Sequence, residues 1–190
     1  MGRRAVVLFA ILTSSLALHS QAAAPDHSDH AAADHAASAK LTLTPAADVQ
    51  RSYNGLKANI LKAANNMPAE SYSYRPTPDI RTFARVVNHV SEAQLRTCGA
   101  VNGTTDLYKV PAETADKTAI VAALQASFAE CDKAFAALSD TNLLENHTVG
   151  TTTRARISLA WATVSHDNEQ YATLALYMRL KGLVPPSSEK

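Results

Sequence analysis

The strongest constraint on the fold is the segment 154–181, because its predicted helix is apolar on two sides. One face carries Leu159, Thr163, His166, Gln170, Leu174 and Tyr177, and a second stripe consists of Ile157, Trp161 and Val164. A helix with two apolar sides has to be covered by other elements. Gly182 and two prolines end the segment, as is typical of a helix C-terminus. The segment therefore predicts one wall of a four-helix bundle.

Three further helical segments precede this segment in the sequence. The first starts after Thr44, a capping residue followed by Pro45, and stops near Asn66 before a Met-Pro pair. The second runs over about 79–101 and the third over about 116–138, each with apolar residues at helical spacing. Alanine is abundant and glycine is scarce, which favours helices. We therefore predict an all-α domain over residues 41–190.

The N-terminal region predicts export. A short basic start is followed by an apolar run and by small residues up to residue 24, the layout of a secretory signal peptide over 1–24. Cleavage is expected after Ala22, Ala23 or Ala24. The apolar run is too short for a membrane span. No cysteine lies near the cleavage site, so a lipid anchor is not indicated. The sequence predicts a periplasmic or secreted protein without a stable membrane anchor.

Residues 25–40 are rich in alanine, histidine and aspartate and lack large apolar side chains. They predict a mobile tail. Its His27, His30 and His35 are compatible with loose binding of a divalent ion, but the pattern favours a solvated linker. The whole chain has a net charge of +1 and no block of Lys and Arg, which argues against nucleic acid as a partner.

Two isolated histidines on different predicted helices indicate a metal site inside the bundle. His89 falls about a third of a turn from the apolar stripe of its helix and so faces a groove. Gln170 follows His166 by one turn, at the position where a third imidazole would complete a three-ligand site. The residues alone leave another reading open. His166 would then be a core histidine bonded to Gln170 or Tyr177, and His89 a groove histidine with a polar neighbour.

The chain contains two cysteines, Cys98 and Cys131. An even pair in an exported protein raises the expectation of a disulfide. Two small buried thiols remain the alternative, and the residues alone do not decide between them.

The order of these features resembles the DinB-like (DinB/YfiT) superfamily, and in particular its small exported members. The motifs that carry the resemblance are Met67-Pro68-Ala69-Glu70, Tyr74-Arg75-Pro76-Thr77-Pro78, Phe83 with His89, His166-Asp167-Asn168-Glu169-Gln170-Tyr171, and the closing run 177–188. The resemblance covers residues 42 to 188. It implies a bundle with up-down-down-up helix order.

The resemblance also implies a divalent metal, Zn or Ni, bound by one histidine on the second helix and two on the fourth. His89 matches the first ligand and His166 the second, whereas Gln170 stands at the position of the third. An amide oxygen is a weaker ligand than an imidazole for such metals, so weak or absent binding is expected. Glu169 and Tyr177 are the candidates for residues that orient the ligands without binding the metal themselves.

The implied helix order bears on the cysteines as well. If the second and third helices run parallel, Cys98 and Cys131 lie at similar heights along them, at about 1.5 Å rise per residue. The resemblance therefore favours a Cys98–Cys131 disulfide over two free thiols.

Three functions remain in view. The first is an enzyme related to metal-dependent hydrolases or thiol-dependent transferases, acting on an unknown small molecule; export argues against the transferase branch. The second is a non-catalytic bundle that binds a small ligand or a weakly held metal in the groove between the second and fourth helices. The third is a structural module or homodimer, because helical bundles of this type often pair.

Overall fold

A computed structural model describes residues 43–104 and 109–190. These residues belong to a unit that spans Leu41–Lys190. The predicted signal peptide over 1–24 and the predicted tail over 25–40 lie outside the described residues. Within the described ranges, every helix is too short or too polar to cross a membrane.

Four long helices form the fold, as the sequence predicts. Their bounds are α1 Pro45–Asn66, α2 Phe83–Asn102, α3 Lys117–Ala136 and α4 Arg156–Leu180. Short 3-10 turns occupy Ala69–Ser71 and Pro186–Ser188, and two short strands, β1 Asn146–Val149 and β2 Thr152–Ala155, precede α4. The all-α prediction is confirmed for the helices, and the strands are an addition that it did not include.

The start of α2 differs from the prediction by four residues. The hydroxyl of Thr82 accepts a hydrogen bond from the N–H of Arg85 at 3.1 Å and so caps the helix. The N–H of Phe83 donates to the carbonyl of Tyr74, and the N–H of Ala84 donates to that of Tyr72. These bonds satisfy the free N–H groups of the first turn. Residues 79–82 are therefore part of the preceding loop.

The polar connection before α4 contains an antiparallel hairpin. Asn146 pairs with Ala155 and Val149 with Thr152, and Gly150 makes the turn with φ of +60°. A positive φ at a hairpin turn favours glycine. The hairpin packs through β1 against α2, and it delays the start of α4 to Arg156.

The core of the bundle is aromatic at its centre. The ring of Tyr53 on α1 stacks on that of Phe135 with 3.9 Å between centroids. Its hydroxyl donates to Oδ1 of Asp132 at 2.8 Å. Because the phenol keeps a partner, this large side chain is buried without leaving an unsatisfied donor.

The closing Pro-Pro-Ser-Ser run folds back onto α4. The hydroxyl of Tyr171 donates to Oγ of Ser187 and accepts from its N–H, both at 2.8 Å. The side chain of Arg179 donates to Oγ of Ser188 at 2.8 Å. Tyr171 and Arg179 on the helix therefore hold the two serines that follow it against α4.

A disulfide joins α2 to α3. Cys98 and Cys131 are 33 residues apart in sequence, with 5.0 Å between their Cα atoms. One turn earlier, Oγ of Ser127 donates to Oε1 of Gln94 across the same separation of 33 residues. Two successive contacts with equal spacing show that α2 and α3 run in the same direction, which places the two cysteines at one height.

A second polar link between these helices is the carboxylate of Glu130, which is buried. It accepts hydrogen bonds from Thr104 at 2.6 Å, from Asn102 at 2.7 Å and from Lys133 at 2.8 Å. The bonds from Lys133, Thr104 and Asn102 lower the pKa of Glu130 to about 2. The carboxylate of Glu130 thus supplies the hydrogen-bond acceptor for the polar side chains at the C-terminal end of α2.

Removing the disulfide is expected to lower stability substantially. Replacing both cysteines by serine should reduce the free energy of unfolding by about 2–4 kcal/mol, because the unfolded chain regains the entropy of an open loop. Urea denaturation of the oxidised protein and of the double variant checks this. Adding a reductant should lower the stability of the parent protein and leave that of the variant unchanged. A parent protein that is insensitive to reductant would contradict the pairing.

Glu130→Gln is expected to lower the free energy of unfolding by about 1–2 kcal/mol at pH 7. The folded-state pKa lies below the ordinary value of 4.5, so the stabilisation is complete above pH 4.5 and is lost as the pH falls toward 2. The gap between the variant and the parent protein should therefore close in acid. Urea titrations at pH 7 and pH 3 measure it. Glu70→Gln, at an exposed position, is the control and should show no gap.

Candidate functional site

The two histidines singled out by the sequence meet between α2 and α4. Nε2 of His89 lies 3.2 Å from Nε2 of His166, and the ring centroids are 5.0 Å apart. Further along, the hydroxyl of Tyr177 donates to the carbonyl of Arg81 at 2.9 Å. Arg81 lies just before α2, so the residue number falls toward the start of α2 as it rises along α4, and the two helices run in opposite directions. Both imidazoles are partly exposed, which leaves the pair open to a groove.

A buried carboxylate stands behind His166. Asp167 is fully buried, and its Oδ1 lies 3.6 Å from Nδ1 of His166. That distance is longer than a hydrogen bond, so the contact is electrostatic. It favours the tautomer of His166 that carries its proton on Nδ1. In that tautomer Nε2 of His166 carries a lone pair and faces Nε2 of His89 at 3.2 Å.

Asp167 is held in place by the two neighbouring helices. Nε2 of Gln94 on α2 donates to Oδ2 of Asp167 at 2.8 Å, and Oγ of Ser127 on α3 donates to Oε1 of Gln94 at 2.8 Å. Oδ1 of Asp167 has no hydrogen-bond partner among the described residues. A polar chain of four side chains therefore runs from α3 through α2 to the imidazole on α4.

Burial and charge act in opposite directions on Asp167. Burial raises the pKa of its carboxyl group, whereas the contacts with His166 and Gln94 lower it. Burial also lowers the pKa of His89, and the positive charges of Arg81, His166 and Arg85 lower it further. A lowered pKa keeps the His89 imidazole neutral, which is the form that binds a metal.

The other predicted site residues lie apart from this contact. Gln170 is buried one turn after His166, and its amide makes no hydrogen bond within the described residues. Glu169 is exposed on α4, where its carbonyl accepts from Thr173. Tyr177 is buried and is engaged with the backbone of Arg81. The carboxylate beside the histidine pair is therefore that of Asp167, which was not among the predicted site residues.

Asp167 had a detectable signal in the sequence. It follows Thr163 by four residues and precedes Gln170 by three, which places all three on one helical face. All three are buried in the structure. The remaining histidine of the described residues, His147, lies on β1, and its buried Nε2 has no hydrogen-bond partner there.

The two imidazoles fit a divalent metal in spacing and in chemistry. Zinc binds imidazole nitrogen at about 2.0–2.1 Å, so two such ligands at tetrahedral angles are about 3.3–3.4 Å apart. The observed 3.2 Å is close to that value. The described residues contain no group of three His, Cys, Asp or Glu side chains that would hold a metal. The described residues thus bring two imidazoles together, and the amide of Gln170 makes no hydrogen bond to either of them.

Comparison with known proteins places the chain in one family. The sequence model described as "DinB superfamily" matches residues 53–174. The crystal structure of a DinB-like protein from Bacillus cereus ATCC 10987 is similar in fold, with a TM-score of 0.60 and 15% sequence identity over 73% of this chain and 93% of that chain. No curated protein matches the chain. At this identity the structural match shows the fold alone.

Asp167→Asn is expected to change the tautomer of His166 while the fold is kept. The Asn oxygen would accept from Gln94 in place of Oδ2, so its NH₂ group would face Nδ1 of His166 and move the ring proton to Nε2. The free energy of unfolding should stay within about 1 kcal/mol, because removing a buried charge offsets the weaker hydrogen bond. Nitrogen chemical shifts of the imidazole measure the tautomer. An unchanged His166 tautomer would contradict the role assigned to Asp167; Glu169→Gln is the control.

Proposed function

Because the chain belongs to the DinB superfamily, we propose that it is a divalent-metal protein related to metal-dependent hydrolases, with His89 and His166 as its ligands. The observation that carries the proposal is the 3.2 Å separation of their two Nε2 atoms. Residues 77 positions apart bring two imidazole nitrogens together at the edge of a groove. The resemblance to the family supports Zn or Ni as the metal.

Each residue of the site has a distinct task in this proposal. His89 and His166 would hold the metal through Nε2, and Gln170 would offer an amide oxygen as a weak third ligand. When bound, the metal would lower the pKa of a coordinated water to about 7 and so supply a nucleophile at neutral pH. Asp167 would keep the proton of His166 on Nδ1 and so orient the imidazole with Nε2 toward the metal.

The amide at position 170 makes the site weaker than one with three imidazoles. Zn and Ni prefer nitrogen ligands to a neutral amide oxygen. The same 3.2 Å spacing also suits a direct hydrogen bond between the two rings. This second reading supports the alternative function, a bundle that binds a small ligand without metal or catalysis.

Export of the protein is a separate part of the proposal. The Cys98–Cys131 disulfide supports it, because disulfides persist in oxidising compartments such as the periplasm and the extracellular space. The signal-peptide pattern of residues 1–24 points the same way.

Zinc titration of the full chain tests the metal site. His27, His30 and His35 are first replaced by alanine, so that tail binding does not contribute. In this background we expect one zinc ion per chain, lost on His89→Ala or His166→Ala and retained on the control substitution His147→Ala. Calorimetry or metal analysis after dialysis gives the stoichiometry. A chain that takes up no zinc or nickel, and gains no thermal stability from either, would refute the proposal.

Gln170→His adds the missing imidazole and tests the ligand set in the opposite direction. We expect affinity for zinc to rise by at least about tenfold, or about 1.4 kcal/mol of binding free energy. Hydrolysis of nitrophenyl esters and phosphates should rise with it and disappear on His89→Ala. A gain in binding without turnover in either protein would favour the non-catalytic alternative.

A further inference from the structure

A cavity opens beside the histidine pair. Its wall includes Arg96, Thr97, Thr163, His166 and Asp167, and its volume is about 140 Å³. A single water molecule needs about 10–15 Å³ on this measure, so the cavity has room for a ligand of several non-hydrogen atoms. It lies between α2 and α4 and therefore belongs to the same groove as the two imidazoles.

Arg96 gives this wall its positive charge. Its side chain is exposed and has no carboxylate partner within residues 43–104 and 109–190. Arg85, on the same side of α2, is neutralised by two hydrogen bonds to Glu92 at 3.0 and 2.9 Å. A guanidinium group binds planar oxyanions through two parallel N–H donors. Arg96 is thus the available anchor for an anion in the cavity.

An apolar slot adjoins the cavity. The two share Thr97 and Thr163 in their walls. Beyond them the slot is lined mainly by apolar side chains, among them Val101, Phe135 and Leu159, and by Arg156, whose guanidinium is paired with Glu145. Its volume is about 20 Å³. That is enough for a methyl or methylene group and too apolar to hold a water molecule well. The groove therefore offers a cationic end and a small hydrophobic end within one short span.

From this arrangement we propose that the cavity binds a short aliphatic carboxylate, with its oxygens on Arg96 and its carbon chain directed past Thr97 and Thr163 toward the slot. A monoanion suits the site better than a phosphate, because a second negative charge would lie near the buried carboxylate of Asp167. The inference rests on the proposed function in that it names the ligand class of the same site.

Ligand-observed NMR on the full chain tests the inference, with EDTA present so that no metal contributes. Propionate should bind about tenfold more tightly than propionamide, its neutral analogue, because it adds a charge-assisted hydrogen bond to Arg96. Propionate should also bind about fourfold more tightly than acetate, since it buries one more methylene group. The preference for the anion should weaken as salt is added.

Two matched variants locate the binding. Arg96→Gln should abolish the preference for propionate over propionamide, whereas Arg51→Gln, at an exposed position of α1, should leave it intact. The inference is wrong if Arg96→Gln retains the preference, if both variants lose it equally, or if inorganic phosphate binds more tightly than propionate.

EDTA separates this test from that of the metal site. Carboxylate binding on Arg96 in a chain that takes up no metal would support the inference and reject the metal function alone. A zinc-binding chain without preference for propionate would reject the inference alone.

Discussion

The hydrogen bond from Gln94 to Asp167 is the interaction on which the interior of this bundle depends. It joins α2 to α4 at a fully buried carboxylate, and Ser127 extends it to α3. A buried charge without partners costs several kcal/mol, so these three helices have to keep the positions that supply the partners. The contact therefore fixes where the imidazole of His166 stands relative to His89. The arrangement of the site follows from the packing of polar side chains inside an otherwise apolar core.

Much of the fold was predictable from the sequence because local signals and the global architecture agree. Pro45 and Thr44 define the start of α1, and helical spacing of apolar residues defines each buried face. The start of α2 was predicted wrongly because Thr77-Pro78 and Thr82 are both plausible caps, and only the bonds to Tyr72 and Tyr74 select the second. The hairpin before α4 was missed because its residues are polar, although Thr148, Val149, Thr152 and Thr153 favour strands.

The candidate site was predictable in part. The two histidines could be predicted because each is the single histidine of its helix, and the structure brings their Nε2 atoms together. Asp167 was not predicted, although its helical spacing from Thr163 and Gln170 places it on their buried face. Its hydrogen-bond partner Gln94 lies 73 positions away, and no local pattern contains that pairing. The same holds for Arg96, whose relation to the site appears only when α2 and α4 are packed together.

The disulfide has a mechanical consequence for the whole bundle. Because Cys98 and Cys131 tie α2 to α3, those two helices form a cross-linked plate, whereas α4 is held against α2 by packing and hydrogen bonds alone. The seam between α2 and α4 is therefore the softer one, and it contains the paired imidazoles and the cavity beside them. The cross-linked pair of α2 and α3 is expected to be the more rigid part of the bundle, and α4 the part that is displaced more easily. The groove between α2 and α4 is therefore expected to widen at a lower energetic cost than the cross-linked α2–α3 interface.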